Sequence, residues 1–121
     1  MKWMIVMLAV TIGPAVAQPM SGALVDARCY ESMDGNRNPS STLYDVNRDR
    51  NAEIRYCHPG AKTKTFLVID FNGQSHRLDA AGEAKAAALV QAHPKLHWYQ
   101  VDVEGGRSGG TVQVLSIELE K

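Results

Sequence analysis

The stretch "TFLVIDFNGQSHRLD", residues 65–79, constrains the fold most. Leu67, Ile69 and Phe71 fall on one side of an extended chain, and Phe66 and Val68 on the other. An apolar run this short, rich in β-branched and aromatic residues, reads as a strand with both faces covered. Asn72-Gly73 follows, a pair that accepts the positive φ angles of a tight hairpin. "QSHRLD" then reads as the return strand, so residues 66–79 predict a β-hairpin.

A helix follows in "AAGEAKAAALVQAHP". Alanine has the highest helix propensity. Asp79 is placed to cap the N-terminus with its carboxylate, and Glu83 suits the positive end of the helix dipole. Pro94 drives His93 out of the helical region and ends the segment. Ala84, Ala88, Leu89 and Ala92 form the face expected to pack on a sheet.

Two strands close the chain. In "HWYQVDVEG", Tyr99, Val101 and Val103 are expected to point inward, and Trp98, Gln100, Asp102 and Glu104 outward. "GGRSGG" reads as a flexible turn. "TVQVLSIELE" is the last strand, with an inward phase that changes between Val114 and Leu115, as a β-bulge requires. An earlier strand lies in "SGALVDARCY", with Ala23, Val25, Ala27 and Cys29 on one side. Residues 31–64 lose the apolar signal and predict a long polar insertion, with a helical turn around Ser41–Val46.

The order is strand, insertion, strand, strand, helix, strand, strand. A mainly β fold follows: a five-stranded OB-like barrel with one helix between strands 3 and 4. The competing arrangement is an α+β roll with the helix on one sheet face.

The N-terminus speaks to location. Lys2, the apolar run "WMIVMLAVTIG", Pro14 and the small residues of "AVA" make a secretory signal peptide, with cleavage between Ala17 and Gln18. The run falls short of the ~20 apolar residues of a membrane span, so no span is expected in the mature chain. Residues 18–121 then form a single domain, periplasmic or secreted.

The chain carries 13 Lys and Arg against 13 Asp and Glu. Loss of Lys2 leaves a single net negative charge, with the basic residues scattered. Such a domain has no electrostatic reason to seek nucleic acid or anionic membrane. The partner expected is an unidentified envelope or extracellular one. In an exported chain Cys29 and Cys57 read as a disulfide. A bridge of that span contributes about 3–4 kcal/mol in the chain-entropy model.

The chain resembles a group of small exported bacterial proteins of unknown function. Their pattern runs G-x-x-V-D-x-x-C, a second cysteine, G-x-x-x-x-L-D, an Ala/Lys-rich helix, V-x-V-x-G and V-x-S-I. The matching segments here are "GALVDARC", Cys57, "FLVIDFNGQSHRLD", "GEAKAAALV", "VDVEG" and "VQVLSIEL". The resemblance covers nearly all of the mature chain and implies an OB-like domain. It carries over no catalytic residues. The insertion before Cys57 is longer and more polar than that pattern leads one to expect.

Four chemistries have partial ingredients in the sequence. In "YDVNRDRNAE", Asp45, Asn47 and Asp49 match the spacing of a calcium loop. Arg50, however, stands where that loop needs glycine, and Tyr56 where it needs a bidentate glutamate. His93 and His97 have helical metal-ligand spacing, which Pro94 interrupts. "GGRSGGT" lacks the lysine and following helix of a phosphate loop. Ser75, His76 and Asp79 are loose ingredients of a hydrolase, but Ser75 and His76 fall on opposite faces of a strand. Asp26 and Asp79 read as local caps.

The expectation is therefore a non-enzymatic binding or structural module without cofactor. The alternatives are a calcium-dependent module using the 45–53 loop and a small hydrolase. Trp98, with Tyr44 and Tyr56 and with Tyr30 nearby, is the candidate binding surface. The competing role for Trp98 is packing beneath the insertion as part of a satellite core.

Overall fold

The computed structural model describes residues 18–34 and 43–120, and for Gln18, Asp34 and residues 43–46 the backbone alone. The predicted leader, residues 1–17, lies outside this range. The strands are β1 (Gln18–Asp26), β2 (Phe66–Asp70), β3 (Ser75–Leu78), β4 (Tyr99–Ser108) and β5 (Thr111–Leu119). The helices are α1 (Ala27–Asp34), α2 (Leu43–Tyr56) and α3 (Ala80–Ala92).

The strands close into a barrel in the order β1-β2-β3-β5-β4. All pairings are antiparallel except β3 with β5, which join over Arg77↔Thr111 and Leu78↔Val112. With α3 between β3 and β4, this is a small OB-like barrel, and the α+β roll is not formed.

Strand alternation divides the core in two. Leu24, Phe66, Val68, Tyr99, Val101 and Val103 fill the barrel, with Val112, Val114 and Ile117 from β5. Ala23, Val25, Leu67 and Ile69 face outward from β1 and β2, where Ala27, Tyr30, Ile54 and Cys57 cover them. Each large apolar side chain so buried contributes about 1.5–3 kcal/mol. β1 and β2 are thus covered on both faces, as the unbroken apolar run of β2 implies.

The described part of the insertion expected at residues 31–64 is largely helical. β1 ends at Asp26, whose Oδ1 accepts from the Cys29 N–H at 3.1 Å. That cap turns the chain into α1, so Cys29 belongs to a helix and not to the strand. α2 was hidden from the sequence by its polarity: of its described side chains, Glu53 and Ile54 alone are buried. Tertiary ties hold it instead. The Cys29–Cys57 disulfide, with Cα atoms 5.5 Å apart, joins α1 to the end of α2. The Asp26 N–H then donates to the Cys57 carbonyl at 2.8 Å.

The hairpin forms as expected, with a four-residue connection, Phe71–Gln74, between β2 and β3. Gly73 takes φ +84°. Asp70 Oδ1 accepts from the Asn72 and Gln74 N–H groups at 2.8 and 2.9 Å. Phe71, expected on the face of Leu67 and Ile69, stands on this turn and is 94% exposed.

Asp79 caps α3 by accepting from the Gly82 N–H at 2.8 Å, and His93 closes the helix. The face of α3 differs from expectation. Gly82, Ala86 and Val90 are buried, whereas Ala84, Ala88 and Ala92 are exposed and Leu89 is half-buried. An alanine-rich helix has little amphipathic signal, so its rotation is set by contact. A Cβ on Gly82 would lie 2.4 Å from Val114 Cγ2, and the missing side chain lets α3 lie close to β5.

The "GGRSGG" segment is mostly strand. β4 continues to Ser108, leaving Gly109-Gly110 as the turn, with Gly109 at φ +64°. The predicted bulge is present. Glu104 pairs with Ser116 and Gly105 with Val114, so Leu115 is the extra residue and points outward. Among the described residues, no helix is long and apolar enough to cross a membrane.

Candidate functional site

A cleft of about 770 Å³ lies between α2 and the outer wall of the barrel. Its floor follows from the register. Ala23 pairs with Ile69 on one side and Gln100 on the other, so one row of outward residues crosses β2, β1 and β4. Ala23, the small residue of that row, keeps this floor low. Gly22 has the opposite phase: a Cβ there would meet Val68 Cγ1 of the barrel core and the Ile69 carbonyl oxygen, each at 2.6 Å.

One wall is α2, through Asn47, Arg50, Asn51 and Ile54. Phe71 and Asn72 of the β2–β3 turn form one rim, and Trp98 and Glu120 the other. Trp98 is half-buried against the outer core cluster. Its indole N–H donates to Gln100 Oε1 at 2.8 Å, and the Arg55 guanidinium lies over the ring at 5.4 Å. Trp98 therefore has both roles weighed for it: it packs under the insertion and presents part of its ring to the cleft.

Arg50 donates to Asn47 Oδ1 at 2.8 Å. Its guanidinium lies against the β2–β3 turn, where a Cβ on Gly73 would sit 2.3 Å from Nη1. Arg50 thus ties α2 to the hairpin and closes that end of the cleft. The side-chain amides of Asn51 and Asn72, and the amide nitrogen of Gln100, make no hydrogen bond among the described residues.

Asp70 also lines the cleft, but its oxygens are committed. Oδ2 lies 2.7 Å from His76 Nε2, and Oδ1 takes the two turn N–H groups. Burial pushes the Asp70 carboxyl up, yet the His76 bond and the Gln74 and Asn72 N–H groups together hold it below the ordinary carboxylate value. His76 is 7% exposed and faces the opposite way from exposed Ser75. The chain does not bring these two together as nucleophile and base.

The other candidates have local roles. Asp79 caps α3, and its Oδ1 also accepts from the Val114 N–H at 3.3 Å. Asp26 caps α1, and its Oδ2 accepts from Thr63 Oγ1 at 2.8 Å. Residues 45–53 run along α2 and not along a loop. Successive alternate residues on a helix diverge by about 200°, so Asn47 and Asp49 leave α2 on different sides and do not converge as they would in a calcium loop. The Asp45 side chain itself lies outside the described residues.

The rings of His58 and His97 lie 5.1 Å apart. Among the described residues, no group of three or more His, Cys, Asp or Glu side chains could hold a metal ion. Tyr56 is 75% exposed but lines a different hollow, beside His58. Tyr30 is buried, and the Tyr44 side chain lies outside the described residues.

Sequence reasoning missed Arg50, Asn51 and Gln100 as site residues. The helical course of α2 and the barrel register bring them together, and neither was legible in the local pattern.

Fold and cleft define an OB-like barrel with its outer β1–β2 face covered by a disulfide-tied helical insertion. Comparison with known protein families, with curated proteins and with solved structures gives no match.

Proposed function

We propose that the chain is an exported, non-enzymatic binding module of the cell envelope or extracellular space, and that the cleft beneath α2 takes its ligand. One observation carries the reading. Asn51 and Asn72, through their side-chain amides, and Gln100, through its amide nitrogen, line one cleft with groups that have no hydrogen-bond partner among the described residues, beside an indole that bonds Gln100 Oε1 and lies under Arg55. A few convergent polar groups beside an aromatic ring are what orient a bound small molecule.

Export is supported by the Cys29–Cys57 bridge, since such bonds persist in oxidising compartments. The non-enzymatic reading rests on the occupied state of the candidate groups. Asp70 is bonded to His76, and Asp26 and Asp79 cap helices. Resemblance to exported bacterial proteins of the same motif order supports the same reading.

The test is a ¹⁵N-correlation titration of disulfide-intact protein with fractionated small-molecule extract from the exporting host's envelope. Shifts centred on Ala23, Gln100 and the Trp98 indole, weakened by Asn51→Ala, are expected. Saturable shifts confined to another surface would move the site, and unchanged spectra in every fraction would sink the reading.

A further inference from the structure

The two ends of the cleft carry opposite charges, neither matched by an ion pair among the described residues. At the β2–β3 end stands Arg50, fixed by Asn47 and the Gly73 turn, with no carboxylate in ion-pair contact among the described residues. The acid on that side, Asp70, is taken by His76 and two backbone N–H groups. At the β4–β5 end stands Glu120. Ser21 Oγ donates to Asp102 Oδ1 at 2.6 Å and approaches Glu120 Oε2 at 3.3 Å. Neither carboxylate has a cationic partner among the described residues.

The distance between the ends follows from the sheet. The Glu120 N–H donates to the Gln100 carbonyl at 2.8 Å, which sets Glu120 beside β4. Gln100 pairs with Ala23, and Ala23 with Ile69. The path from Glu120 to the Arg50 end therefore crosses three interstrand spacings, about 14 Å along the surface. Barrel curvature shortens the straight line. An extended peptide advances about 3.3–3.6 Å per residue, so three or four residues fill the path.

We propose that the ligand is a short zwitterionic peptide of three or four residues, with its carboxylate at Arg50 and its ammonium at Glu120. This rests on the reading of the cleft as the binding site. Asn51, beside Arg50 on α2, and Gln100, beside Glu120 on β4, have the donors and acceptors that peptide groups need. Phe71 and Trp98 offer apolar surface to side chains at the two rims. A neutral saccharide would cover both charges and match neither, which costs desolvation without return. A polyanion would meet Glu120 and Asp102.

The probe is the tetrapeptide Ala-Ala-Phe-Ala, titrated into disulfide-intact protein with free termini, with an amidated C-terminus and with an acetylated N-terminus. The free form is expected to shift Ala23, Gln100 and the Trp98 indole. Amidation is expected to weaken it about tenfold, the factor that 1.4 kcal/mol carries. Arg50→Gln should weaken the free peptide by the same factor and leave the amidated one unchanged. Acetylation and Glu120→Gln should behave as a second such pair. Each variant's spectrum without peptide reports that it is folded.

Equal binding of the three peptide forms overturns the proposal. So do shifts at the same resonances with an N-acetylglucosamine tetrasaccharide and none with the free peptide, although the cleft then survives as a binding site. Failure of both probes, together with unchanged spectra in the extract titration, removes the cleft reading as well.

Discussion

Asp70 Oδ2 lies 2.7 Å from His76 Nε2, across the hairpin that joins β2 to β3. The same carboxylate accepts both turn N–H groups through Oδ1, so one side chain organises the turn and holds a buried imidazole. The pair sits where the barrel wall meets the cleft, and it couples the stability of the hairpin to pH.

The sign of that coupling follows from the direction of the shift. The Asp70 carboxyl is lowered from 3.8 in the fold. Its contribution is complete above the unfolded value and is lost as pH falls through the folded one. Asp70→Asn should cost about 1–2 kcal/mol near neutral pH. It should also flatten the stability profile below pH ~4. Urea unfolding of both proteins across that range checks this; parallel profiles would contradict it.

Tyr99 is buried in the barrel, and its hydroxyl donates to the His93 carbonyl at the end of α3. Burial raises its ionisation, against a smaller opposing bond from the Leu96 backbone. Tyr99→Phe should cost about 1 kcal/mol, the net worth of one such bond. The folded pKa is raised, so the native stabilisation is present below the unfolded tyrosine value and is lost as pH rises. Wild type should therefore lose stability above pH ~10 more steeply than the variant.

The disulfide anchors a helix pair with little core of its own. Cys29→Ala with Cys57→Ala should cost about 3–4 kcal/mol. Hydrogen exchange should rise first in α1 and α2 and least in β4 and β5. Uniform loss of protection would show the barrel and insertion to be one cooperative unit.

Gly105 marks the bulge. A Cβ there would lie 2.2 Å from the Gln113 carbonyl oxygen, a backbone atom that cannot swing aside. Gly105→Ala should destabilise the barrel by about 1–3 kcal/mol, whereas Gly110→Ala, with open space around it, should cost far less. Thermal unfolding of the two variants compares them directly.

Addition of calcium or of chelator should leave the melting temperature unchanged, because α2 carries residues 45–53 along a helix. A shift of several degrees would show that this stretch leaves the helix to bind metal.

The barrel was legible because its strands carry their signal locally. Period-two alternation put Phe66 and Val68 on one face of β2 and Leu67 and Ile69 on the other, as found; that the first pair fills the barrel was decided by the fold. Asp79, Pro94 and the phase change after Val114 likewise act within a few residues of where they stand. The cleft was not legible. Arg50, Ala23 and Gln100 are far apart in sequence, and the first of them sits in a segment whose polarity concealed a helix.

The sequence by itself determined the succession of five strands along the chain, the hairpin, the helix between β3 and β4 and the cysteine pairing, since each rests on short-range backbone preference or on having two cysteines to join. Tertiary structure decided the rest. The rotation of α3 came from Gly82 against Val114, because an alanine helix has no strong apolar stripe. The helicity of α2, and with it the cleft, came from docking Ile54 and Cys57 over β1 and β2. A polar helix is marginal in water, and burial of a few side chains under a covalent tie is what makes it persist.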